Sequence, residues 1–182
     1  MRTRAVKGLV TLACAAALAV AVTPIALSST SSSERAHASV AALETGVLDE
    51  LNEVRADHGL PALRDNPALS AAATQHSREM GLDGYFDHDS ANGSAFWARI
   101  AHWYSRIGFS QWSVGENLLW SSPDVAPSAA ISIWMHSPVH RANILDARWR
   151  EVGIGAVHFD GAGGAFGGRA VTIVTADFGV RR

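Results

Sequence analysis

Apolar positions along this chain fall into two regimes. From Gly8 to Leu27 they are nearly continuous, interrupted only by Thr11, Thr23 and Pro24. Beyond residue 40 they become periodic. Leu43, Val47, Leu48, Leu51 and Val54 keep helical spacing, which predicts an amphipathic helix over about 41–58, ended by Gly59 and Pro61. Asn66-Pro67 reopens a helix, with asparagine as N-cap and proline in the first turn. Leu69, Ala72, Ala73, His76 and Met80 share its apolar face, and it should stop near Gly81 or Gly84. A third helix is expected from Ser94, with Phe96, Ile100, Trp103 and Ile107 on its apolar face and Gly108 closing it. Ser113 to Trp120 reads as an extended segment. Ser128 should cap a fourth helix bearing Ile131 and Trp134, which Pro138 ends because proline lacks the amide and crowds the preceding turn. The tail changes period. Val152 to Phe159 and Ala170 to Phe178 are β-rich, and the Gly161–Gly168 stretch between them predicts a hairpin with a long, flexible loop. Helices first and an antiparallel sheet later predict one α+β layered domain.

The first regime is read as a targeting segment. Arg2, Arg4 and Lys7 precede the apolar run, and Ala36-His37-Ala38 is a small-x-small triplet of the kind signal peptidase cuts after. The expectation is a signal peptide over 1–38 and a secreted, extracellular domain over 39–182, with no membrane span after cleavage. The alternative is an uncleaved anchor, because about 20 apolar residues can span a bilayer. Pro24 and the placement of the triplet favour cleavage. The only cysteine, Cys14, lies inside the apolar run, so the mature part has no disulfide and rests on packing. Its 144 residues suffice for a sizeable core. It keeps 11 basic and 16 acidic residues, a net charge of −5 with histidines neutral. That balance offers no basic stripe for nucleic acid. A monomer is expected.

Several motifs fail on inspection. His136 and His140 are four apart, as in zinc proteases, but Ser137 stands where the general-base glutamate belongs and Pro138 breaks the helix between them. Asp87, Asp89 and Asn92-Gly93 approach a calcium loop, but the glycine is one place late and Ala98 replaces the closing glutamate. The Gly161–Gly168 run has no following helix to cradle a phosphate. The chain has no Gly-x-Ser-x-Gly elbow and no mature cysteine nucleophile.

A succession of short signatures remains: Glu79-Met80, then Gly84-Tyr85-Phe86-Asp87-His88, then Gly115-Glu116-Asn117-Leu118. Trp134 to Leu145 follows as Trp-Met-His-Ser-Pro-Val-His-Arg-Ala-Asn-Ile-Leu, then Val152-Gly153-Ile154-Gly155 and Thr175-Ala176-Asp177-Phe178-Gly179. In this order and spacing they resemble the CAP superfamily (cysteine-rich secretory proteins, venom antigens and pathogenesis-related proteins) in its bacterial SCP-like form, over residues from about 44 to 179.

The resemblance implies an α-β-α sandwich with a central, mostly antiparallel sheet and a surface cleft. In that family the cleft is lined by two histidines and two glutamates, sometimes holding zinc or another divalent cation. Carried over, these are His88, Glu116 and His140, while the second glutamate falls at Ser137. Val139 stands where glycine usually precedes the second histidine. His88 and His140 become the candidate metal ligands and Glu116 the candidate acid/base. Set against this is a hydrogen-bonded network that merely holds the cleft loops. His76, on an apolar helix face, is expected to be a core histidine, and Asn117 and Asn143 to bond neighbouring backbone. The six tryptophans are first of all core, with Trp103 and Trp112 expected at partial exposure near the cleft. The expected function is a binding or interaction module for a small apolar ligand or a cell-envelope component. The alternative is a metal-assisted hydrolase of peptide or cell-wall material, with Ser137 the nearest hydroxyl nucleophile.

Overall fold

The computed structural model describes residues 32–182, with side chains from residue 39 onward. The apolar run 8–27 and Cys14 lie outside the described residues, and the cut expected after Ala38 falls within the first helix. Five helices flank a four-stranded sheet: α1 (Ser32–Asp57), β1 (Arg64–Asp65), α2 (Pro67–Asp83), α3 (Phe96–Trp103), β2 (Trp112–Ser121), α4 (Pro127–His136), α5 (Pro138–Ile144), β3 (Glu151–Ala162) and β4 (Arg169–Arg181). The strand order is β1-β3-β4-β2, parallel between β1 and β3 and antiparallel elsewhere. This is the α+β sandwich expected.

The two faces of the sheet follow from strand alternation. Val152, Ile154 and Ala156 of β3 and Val174, Ala176, Phe178 and Val180 of β4 pack with Leu43, Val47 and Leu51 of α1, Trp134 of α4 and Ile144 of α5. The opposite face is covered by α2 and α3. Leu69 and Ala72 meet Ile100 and Tyr104 there, and Met80 meets Leu118 and Ile173. Gly153 and Gly155 let α2 lie directly on β3. A Cβ on Gly155 would sit 2.1 Å from the backbone nitrogen of Thr74, and one on Gly153 2.0 Å from that of Ser70.

Sequence signals at α2 hold in full. Asn66 accepts from the Ala68 and Leu69 amides, and Gly84 ends the helix in the left-handed conformation that favours glycine. Elsewhere the structure corrects the reading. α3 stops at Trp103, short of Gly108, and Ile107 is 85% exposed. The Ser105 hydroxyl accepts the Ile107 amide at 3.1 Å, a local bond that competes with helix continuation. At α4, Pro127 takes the first turn and Ala126 the cap position in place of Ser128, because proline's fixed φ already suits a helix start. Pro138 does more than end α4: it opens α5, an element the periodicity did not predict. The glycine-rich stretch is not a long free loop. The strands run to Ala162 and from Arg169, and the 3-10 turn Gly164–Phe166 between them buries Phe166 completely.

β1 pairs only with the first two residues of β3, and side chains bond single backbone groups on the rest of β3 and on β2. The Glu44 carboxylate accepts the Ala156 amide at 2.8 Å on β3. On β2, Asn143 Nδ2 donates to the Glu116 carbonyl and the Trp134 indole to the Leu118 carbonyl, each at 3.0 Å.

Candidate functional site

His88 follows α2 by four residues and is held from both sides. His76, fully buried on α2, donates Nε2–H to the Asp87 carbonyl at 2.9 Å. Arg99 of α3 donates Nη1 to the His88 carbonyl at 3.2 Å and to Ser90 Oγ at 3.4 Å. The His88 ring then meets Glu116 on β2, Nδ1 to Oε1 at 2.7 Å. The other carboxylate oxygen of Glu116 accepts from Arg99 Nη2. The Glu116 and Arg99 side chains are almost wholly buried, whereas that of His88 is 48% exposed. Glu116 therefore acts from behind, and His88 is the group presented to solvent.

Electrostatics separate the histidines. The hydrogen bond it donates to Glu116 raises the His88 pKa above its ordinary value, with burial opposing and the Glu116 charge adding. Burial lowers that of His76, with the Glu116 charge opposing, and its Nδ1 makes no hydrogen bond. Burial also lowers His140, and the positive charge of His88 lowers it further.

His88 and Glu116 share one cleft of about 360 Å³, lined also by Phe96, Val114, Val139 and Trp149. The other two expected residues do not line it. His140 lies on α5 with Nδ1 buried and unpartnered, its carbonyl accepting from Asn117 at 3.0 Å. Ser137 is the junction between α4 and α5, and its hydroxyl caps neither helix. Asn117 and Asn143 bond backbone as expected. His136 is tied to its own helix through the Ser132 carbonyl at 2.7 Å. Trp103 is exposed beside a separate hollow of about 750 Å³ between α1 and α2, and Trp112 is half-buried with its indole on the Tyr104 carbonyl at 2.9 Å. A further hollow of about 530 Å³ lies at the start of α1. Both hollows are larger than the His88 cleft, but neither contains its histidine and carboxylate. The loop that approaches a calcium site in sequence spends its oxygens on backbone: Asp87 on the Asp89 amide, Asp89 on that of Phe96 and Asn92 on that of Ser94.

Among the described residues no group of three or more His, Cys, Asp or Glu is placed to hold a metal ion. The chemistry of the donors agrees. Both Glu116 oxygens are engaged, leaving only His88 Nε2 and the His140 ring, one ligand short of the three a catalytic zinc takes from protein. The residues present do not fit a tightly held zinc.

The cysteine-rich secretory protein family, CAP, matches residues 48–178, and the chain belongs to that family. Its own sole cysteine is Cys14. It is 32% identical over 135 residues to the uncharacterised protein YkwD of Bacillus subtilis, covering 74% of this chain and 50% of that one. It is 30% identical over 112 residues to the uncharacterised membrane protein YlbC of the same organism, covering 62% of this chain and 31% of that one. The chain thus spans half or less of the curated relatives it matches. Among solved structures, an SCP-domain extracellular protein of Bacillus anthracis superposes with a TM-score of 0.63 at 23% identity, over 82% of this chain and 43% of that one. An outer surface protein of Borrelia burgdorferi gives 0.58 at 18% identity, over 78% and 94%. These two likenesses speak to the fold alone.

Proposed function

We propose that this chain is an exported CAP-domain protein whose His88 cleft binds a small, largely apolar molecule or envelope component carrying an anionic or hydrogen-bond-accepting group. The supporting observation is the cleft's composition: Phe96, Val114, Val139 and Trp149 supply apolar wall, Ser113, Asn143 and Arg148 add polar groups, and a half-exposed imidazole has its Nδ1 fixed by Glu116. Apolar walls with a few placed polar groups are the usual make-up of a ligand site. Export is supported by the basic, apolar and small-x-small order of residues 1–38. Extracellular or surface proteins among the similar structures agree with it. Among the described residues no helix is long and apolar enough to cross a membrane.

Anilinonaphthalene sulfonate, an apolar anion, is a direct probe of the cleft. Saturable binding to the purified protein should weaken by about tenfold or more in His88→Ala, the loss of a charge-assisted hydrogen bond, and also in Val139→Asp. Equal binding in all three proteins would sink the proposal. Glu116→Gln is the wrong variant for this purpose, because it strips buried Arg99 of its counter-charge.

The second reading, hydrolysis, draws on the Glu116–His88 bond, which orients the imidazole as a general base is oriented. Release of fragments from peptide or cell-wall material by the purified protein, lost in His88→Ala, would favour that reading over binding.

A further inference from the structure

The β2–β4 register sets Glu116 directly opposite Asp177, on the sheet face that α2 and α3 cover. Asp177 is completely buried, and neither of its carboxyl oxygens receives a hydrogen bond from any donor. The charged and titratable groups packed around it are committed elsewhere. Arg99, from α3, serves Glu116, the His88 carbonyl and Ser90, and its remaining Nε makes no bond. His88, from the segment after α2, serves Glu116. His76, from α2, spends its one N–H on the Asp87 carbonyl. Glu79, one turn further along α2, faces His76 Nδ1 at 3.5 Å and accepts the Ala91 amide at 3.1 Å. A carboxylate buried without donors is strongly disfavoured. A carboxylic acid carries its own donor, and the carboxylate that the cross-strand register sets directly opposite it is Glu116.

We propose that Asp177 is a positioning residue of the cleft: as the neutral acid it donates its carboxyl hydrogen to Glu116, and through Glu116 it fixes the His88 imidazole. The buried set is then balanced, with the one guanidinium of Arg99 facing the one carboxylate of Glu116. Burial first, and the Glu116 charge second, push the Asp177 acid well above the usual carboxylate range, with Arg99 opposing. The meaning for ligand binding rests on His88 presenting to the cleft. The proton on Asp177 rests on the packing alone, so its test stands whether or not the cleft takes a ligand.

Asp177→Asn keeps the shape, the neutrality and a donor. An acid whose folded value is raised loses stability as pH climbs above its unfolded value near 3.9, because only the unfolded chain releases the proton. The variant has no such loss, so its urea midpoint should gain steadily on wild type from about pH 5 to about pH 8. Its His88 titration, followed by NMR, should stay within roughly 0.5 pH unit of wild type, since no charge has been removed. Asp177→Leu removes the donor and should raise the His88 midpoint, an effect that loss of packing alone does not produce. The proposal is overturned if Asp177→Asn falls further behind wild type as pH rises while its His88 midpoint drops by about a unit or more. That pattern would mark an ionised Asp177. Should the variants fail to fold, carboxyl-labelled wild type decides. One aspartate resonance held at the protonated position across the same range is expected, and carboxylate positions for every aspartate would refute the idea.

Discussion

His88 owes its orientation to groups that hardly reach the surface: His76 and Arg99 fix its backbone, and Glu116 fixes its ring. Because the folded ring binds its proton more tightly than the unfolded one, the pair's contribution to stability is complete below the unfolded value near 6.5. It is lost as pH rises through the higher folded value. Wild type should therefore lose stability between about pH 6 and pH 8 more steeply than His88→Gln, read as the difference in urea midpoints at each pH. Equal slopes would mean the pair is not formed in solution. His76 and His140 bear the opposite sign, since burial lowers their pKa; comparison with the variant cancels His76, whereas His140 also loses the influence of the His88 charge. At this scale the sequence motifs pointed to His88 and Glu116, because chain order alone carries them. Arg99 was not legible. It stands on a helix of otherwise apolar pattern, where an arginine reads as solvated, and only the fold puts it beneath Glu116. Asp177 stood inside a quoted motif, but its significance comes from a cross-strand register that no local pattern reveals.

Among the elements, the contact of α2 with β3 depends on the two glycines of Val152-Gly153-Ile154-Gly155. Gly155→Ala drives a methyl group into the Thr74 backbone, and backbone cannot swing aside as a side chain can. A loss of about 3 kcal/mol in unfolding free energy is expected, whereas an alanine at exposed Gly163, where no atom lies within 4 Å, should have a far smaller effect. Denaturant unfolding of both variants checks this. The start of α2 was readable to the residue and its end to one of two glycines, because both ends carry caps. α3 and α5 were not. The apolar spacing through Ile107 imitates a longer helix, but the Ser105 turn ends the helical path. Conversely, Pro138 was read only as a stop, though the same ring suits the first turn of the short helix that follows.

Taken as a whole, the described domain builds its core without a disulfide and places its polar cluster between the sheet and the α2–α3 layer. Side chains bond backbone groups on both outer sides of its sheet: Glu44 on β3 beyond the two-residue β1, and Asn143 with Trp134 on β2. Asn143 therefore guards backbone as well as shaping the cleft wall, and Trp134 guards backbone from within the core. An open edge invites a second chain to add its own strand. Asn143→Ala should therefore leave a soluble, folded protein that forms thioflavin-positive aggregates faster than wild type on prolonged incubation, and unchanged kinetics would remove this role. For a chain exported as proposed, which must stay folded outside the reach of cytoplasmic chaperones, those few side-chain bonds count against the addition of a strand from a second copy.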